Sequence, residues 1–415
     1  MKKLNIITSL LIGAMLFIAC DADRDDNPVI DLTKSQDPIT LNTPTFAGGT
    51  YDLQNTDTIV LTCTAPNYGF PATVTYAVQL STDADMTKPT VLSAVYSSNK
   101  MKVPGKELAI ATTKQMMDKY SFKREDFPVE KPIYLRIHAY IDGVTGSETY
   151  SNIIKLNNVK TKFALPDVEM PEELYVMGKF TENNWEKAVP TAPIHSATDT
   201  HWRIAWIDQN GVYVSPIKDA ANWADDYITT TYSCKTAGFA VDENGKITAE
   251  PEQEGWYTMI IKGTCDNDKR TMKMEFSFQP AEVWLIGSSI ANDNAVGKDG
   301  TKGIYAKDDA EKGIVANCWK EDELRKNFTQ YVKFETPTDM KGEFVSPELT
   351  SSVDGDGGTR AYVKIGSYEW WKTEFFVFNK KIVYRGAGAD QERVKGQIGQ
   401  HVHFNFSDDT GDLKL

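Results

Sequence analysis

The sequence predicts an all-β protein: an N-terminal immunoglobulin-like sandwich followed by two tandem β-sandwich domains. Three observations predict it. Runs rich in Val, Ile, Thr, Tyr and Phe alternate apolar and polar residues and are broken by Pro and Gly clusters. The chain, at 415 residues, is too long for one ordinary core. Beyond residue 170, three short stretches recur in the same order, the mark of a duplicated domain.

The chain opens on a targeting segment. Lys2 and Lys3 precede an apolar run over residues 4–19, too short to span a membrane comfortably. Phe17-Ile18-Ala19-Cys20 resembles a bacterial lipobox, so residues 1–19 are expected to be removed and Cys20 to carry lipid. Residues 20–37 read as an acidic tether. Asp21, Asp23, Asp25 and Asp26 resemble the surface-export signal of Bacteroidetes lipoproteins, and they lack the Gly and Glu that a calcium loop needs.

Residues 38–160 form the expected immunoglobulin-like domain. Strands are predicted over 58–63, 73–80, 133–140 and 151–156. Ile133, Leu135 and Ile137 alternate there with Tyr134, Arg136 and His138. One helix is predicted over 106–120, from the apolar stripe of Leu108, Ala111, Met116 and Met117. Residues 157–171 read as a linker.

The repeat then sets the organisation. Residues 173–178 (ELYVMG) match 282–287 (EVWLIG), 211–216 (GVYVSP) match 342–347 (GEFVSP), and 239–247 match 375–382 more loosely. Two copies are expected, 172–279 and 280–415, the second carrying an insertion over 292–313. Asn244-Gly245 is a two-residue turn signal, and its counterpart is Asn379-Lys380. A two-residue turn there pairs Phe378 with Lys381, Phe376 with Val383 and Glu374 with Arg385. Residues 367–386 read as this hairpin, so Trp370 shares a polar outer face with Tyr368, Lys372 and Glu374, over the Glu374–Arg385 pair, and Trp371 shares the buried face with Thr373, Phe375 and Val377.

The balance of 58 Asp+Glu against 45 Lys+Arg, a net charge of -13, argues against nucleic acid as a partner. Beyond Cys20, the cysteines are Cys63, Cys234, Cys265 and Cys318. Cys234 and Cys265 are the one pair expected to be able to bridge. There is no GxSxG, HExxH or P-loop, and no carboxylate pair set in an apolar motif, so no catalytic residue is assigned. His401 and His403 share a strand face without a third ligand, so neither a metal nor a cofactor is expected.

Three functional classes remain: glycan binding, catalysis, and a structural or assembly role of the fimbrial type. Sugars are held by exposed aromatic rings flanked by polar side chains. Trp370, Lys372, Tyr384 and Arg385 are candidates in the last domain, and Trp185 and Trp223, in polar loop-like contexts, in the middle one. Core packing is the competing account of each tryptophan.

The lipobox with its acidic tail, the domain closing in residues 151–156, the two openings LYVMG and VWLIG, and the ending at 382–388 and 402–406 together resemble SusE/SusF-type outer-membrane starch-binding lipoproteins of Bacteroidetes. The resemblance implies non-catalytic binding of a polysaccharide or oligosaccharide at the cell surface. It also implies an outer-membrane lipid anchor and a place beside a SusC/SusD-like import complex. Members use tryptophans with nearby Lys, Arg or Asn. Trp185 and Trp223, and Trp370 with Lys372 and Arg385, sit in comparable places. Departing from the pattern, no aromatic loop follows Gly287.

Overall fold

The computed structural model describes residues 30–32, 38–69, 71–218, 227–287, 304–305, 316–317, 319–327, 332–349 and 358–415. The protein is all-β. Among the described residues two α-helices occur, Gly105–Tyr120 and Glu321–Asn327. The chain divides into two compact units, Met1–Pro166 and Asp167–Leu415. The leader, Cys20, Trp223, Cys318 and most of the 292–313 insertion lie outside the described residues.

In the first unit, the strands Thr50–Asp52, Ile154–Thr161, Val129–Tyr140, Thr75–Ser81 and Thr90–Tyr96 lie side by side in that order. Alternation along Val129–Tyr140 buries Ile133, Leu135, Ile137 and Ala139 on one face. The pair Thr58–Thr62 and Lys100–Pro104 and the helix supply the opposing side chains of that core, among them Ile59, Leu61, Val103 and Leu108. The strand Ile154–Thr161 continues into the stretch read as linker, because Thr50–Asp52 pairs with its second half. The helix stops at Ser121, whose left-handed φ of 55° donates its N–H back to Met117.

Among the described residues the second unit holds three larger sheets around one continuous core and a small two-stranded pair, Ile304–Tyr305 with Ala316–Asn317. Tyr175–Gly178 lies between Val189–Pro190 and Val212–Ser215, in a sheet completed by Ile247–Ala249 and Phe239–Val241. A second sheet runs Ala192–Ile194, Ala197–Ile207, Gly255–Asp266, Thr271–Pro280, Thr229–Cys234. The third has seven strands in the order Val283–Ile286, Arg360–Val363, Glu374–Phe378, Lys381–Tyr384, Thr410–Lys414, His401–Asn405, Phe344–Val345. Its two outermost strands both bond the segment 332–335: Trp284 bridges Lys333, and Glu335 bridges Val345. The sheet thereby closes into a ring without a free edge.

Two expectations are corrected here. The loop at Asn244-Gly245 is longer than two residues, because Val241 pairs with Ile247. The Asp242 carboxylate accepts the N–H groups of Asn244 and Lys246 and holds a five-residue turn. Cys234 and Cys265 are free thiols. They flank the strand Thr271–Pro280 from opposite sides, opposite Phe276 and Met272. Two strand spacings, about 10 Å, already exceed the Cα separation a disulfide tolerates.

Candidate aromatic surface

The hairpin that carries the candidate residues forms with the expected turn. Asn379 and Lys380 have φ of 50° and 62°, as a two-residue turn matched to strand twist requires. Phe378 pairs with Lys381 and Phe376 with Val383. Arg385 then meets Glu374 twice: its N–H donates to the Glu374 carbonyl at 3.0 Å, and its Nη1 donates to Oε1 at 2.8 Å.

The two-face assignment of the tryptophans does not hold. The strand begins only at Glu374; Trp370–Lys372 is a turn of 3₁₀-helix. With three residues per turn, successive side chains splay about 120° apart instead of pointing to opposite faces. Neither tryptophan enters the core fully; both are half-buried. Trp370 turns to Trp319, with ring centroids 5.9 Å apart and planes tilted by 33°. It is Trp371 that lies with Arg385, whose guanidinium is 5.0 Å from its ring centroid, while Lys372 Nζ is 5.2 Å away. His195, from the first half of the unit, meets Trp371 edge-on at 5.0 Å, and its N–H donates to the Lys372 carbonyl.

Behind these rings runs a chain of charges. Glu374 is 1% exposed, not on a solvent face, and sits between Arg385 and Arg360, whose Nε is 3.7 Å from Oε2. Arg385 continues to Asp390 at 3.6 Å, and Asp390 to Arg393 at 3.1 Å. Arg393 in turn lies over Trp319, 5.6 Å from its centroid. Burial raises the Glu374 carboxyl pKa against the pull of Arg385 and Arg360. Desolvation, with Arg393 adding to it, pushes Arg360 down to about 10. The two acids therefore hold one guanidinium beside each tryptophan cluster.

Tyr384 turns its hydroxyl away from the surface. Its hydroxyl accepts from Arg203 Nη1 at 2.6 Å and donates to Asp409 Oδ1 at 3.0 Å. Arg203 is fully buried; it also donates to Asp409 at 2.6 Å and to the Phe406 carbonyl at 2.6 Å. With its hydroxyl held inside, Tyr384 anchors the hairpin to the strand Ala197–Ile207. The hydroxyl is thus turned inward, while the half-buried ring still lines the surface concavity beside Arg385.

Trp185 opens a 3₁₀ turn, Trp185–Lys187, in which the Glu186 N–H donates to Asn184 Oδ1. It is half-buried, and the Glu186 and Lys187 beside it line a cleft of about 510 Å³. The structure thus brings Lys372 and Arg385 together around Trp371, sets Trp370 on the other side of the same turn, and leaves Trp185 apart. His195 and Arg393 were not foreseen. No local pattern marks either, since each is recruited by a ring far from it in sequence.

Among the described residues no cluster of His, Cys, Asp or Glu could hold a metal ion. His401 and His403 are occupied structurally, by the Ser346 carbonyl and by Glu343. Glu374, buried, and Asp409, half-buried, are each paired with arginine. No described helix is long and apolar enough to cross a membrane.

Two family models match the chain: SusE outer membrane protein over residues 24–119, and SusF/SusE starch specific CBMs over residues 313–412. Outer membrane protein SusF of Bacteroides thetaiotaomicron is 28% identical over 269 residues, covering 61% of this chain and 45% of that protein. The chain therefore spans less than half the length of this relative. The crystal structure of SusF from the same organism aligns over 91% of this chain and 100% of its own, at 15% identity and a TM-score of 0.41.

Proposed function

Because the chain is a SusE/SusF-type protein, we propose that it is a non-catalytic glycan-binding lipoprotein of the outer membrane. In this reading it is anchored through Cys20, faces the cell exterior and serves a glycan-uptake system beside a SusC/SusD-like complex. The glycan is starch or a starch-like polysaccharide. The observation that carries the reading is the 3₁₀ turn at 370–372. It holds two half-buried tryptophans at the surface, with Lys372 and Arg385 beside one of them. Apolar sugar faces rest on rings of this kind, and the flanking cations hydrogen-bond the hydroxyls. Trp185 and Trp223 belong to a second, separate contact in residues 172–279. A shallow open surface binds weakly, and two contacts on one chain gain by effective concentration.

Affinity electrophoresis of the full chain in detergent, through gels containing starch or other polysaccharides, tests this. One glycan should retard the protein, and Trp371→Ala or Trp370→Ala should release it. Release of reducing ends would replace binding by catalysis, and the absence of retardation by every glycan would remove the reading.

A further inference from the structure

The turn that carries Arg385 also forms one wall of a larger concavity. Of about 1470 Å³, it runs from Arg385–Ala387 past Pro193 to the segment 169–175. That exceeds the about 300–1,000 Å³ of ordinary small-molecule sites, so it suits a stretch of polymer better than a single ring. Its lining is polar in both senses, with four carboxylates and three cations, among them Asp199 and Lys262, both exposed. In its floor lies His201, 1% exposed. The Nδ1 of His201 is 2.9 Å from Thr191 Oγ1, and its Nε2 has no hydrogen-bond partner among the described residues. Burial lowers the pKa of this ring to about 4, so at neutral pH it is an uncharged hydrogen-bonding group.

We propose that this cleft extends the glycan site. In this arrangement several consecutive rings of a neutral, hydroxyl-rich chain lie along Asp199, Lys262 and the His201 floor, while neighbouring rings rest at Trp371. Arg385 is the shared residue, since it lines the cleft and lies over Trp371. A lining that mixes acids and bases offers donors and acceptors to hydroxyls and favours neither polyanions nor polycations. The inference rests on the glycan-binding reading above, but it adds that binding depends on chain length.

Calorimetry of the full chain in detergent with maltose through maltoheptaose separates the two. Affinity should climb with length. In Asp199→Ala/Lys262→Ala, maltotriose should bind as before while maltoheptaose weakens, by about fivefold for each hydrogen-bonding side chain lost. Trp371→Ala should weaken all lengths. Both side chains of the double variant are exposed, so folding is not at risk, and an unchanged melting curve checks that. Binding that is the same for all lengths, or a length dependence the double variant leaves intact, overturns the cleft while sparing the aromatic surface. No binding at any length removes both. Tighter binding of polygalacturonate than of maltoheptaose overturns the neutral-chain assignment.

Discussion

Tyr384→Phe separates an architectural from a ligand-contacting tyrosine. The substitution removes one oxygen, which accepts from Arg203 at 2.6 Å and donates to Asp409 at 3.0 Å. A hydrogen bond to a charged partner contributes about 1.5–3 kcal/mol. The two losses do not sum, because Arg203 keeps Asp409 and the Phe406 carbonyl. The net cost should be about 2 kcal/mol, a midpoint shift of about 1 M urea at an m of about 2 kcal/mol/M. All nine tryptophans lie in the second unit, so their fluorescence follows the unfolding of that unit alone. Starch retardation of the folded variant should be unchanged. An unmoved midpoint together with lost retardation would refute the reasoning, since the hydroxyl would then be facing the glycan. Arg203→Met is the harsher control: it leaves the half-buried Asp409 carboxylate without its cation and should cost more than Tyr384→Phe.

Other outcomes follow from the same geometry. His201 has its pKa lowered by burial from 6.5 to about 4. The unfolded chain therefore takes up this proton first, and stability falls as pH drops from about 6.5 to about 4, by about 3 kcal/mol; melting curves of His201→Gln should lose that slope. Lys380 holds a left-handed φ of 62°, so Lys380→Gly should raise stability by about 0.5 kcal/mol in urea unfolding. Alkylation in denaturant without reductant, followed by peptide mapping, should label both Cys234 and Cys265.

What could be read from the sequence was what neighbours decide. A turn at Asn379-Lys380 fixes a register, and the register fixes Glu374 opposite Arg385, so that pair was legible without coordinates. The strand's start was not. Nothing in Trp370-Trp371-Lys372 distinguishes an extended run from a 3₁₀ turn, and the difference reassigns every side chain on it. The inward turn of the Tyr384 hydroxyl was not legible for another reason. Its position depends on Arg203, 181 residues away, and a buried guanidinium leaves no periodic trace in the partner that it selects. At Asn244-Gly245 the dipeptide signal was outweighed by one residue, Asp242, whose carboxylate gathers the N–H groups of a wider loop.

The closed ring of strands has a mechanical side. Arg360–Val363 and Glu374–Phe378, which flank the tryptophan turn, are each hydrogen-bonded to a neighbour on both sides. A long polymer tugging at that turn cannot peel a strand from an edge, one bond at a time. The load passes around the ring and into Arg203 and its partners, so the grip is expected to slip before the protein yields.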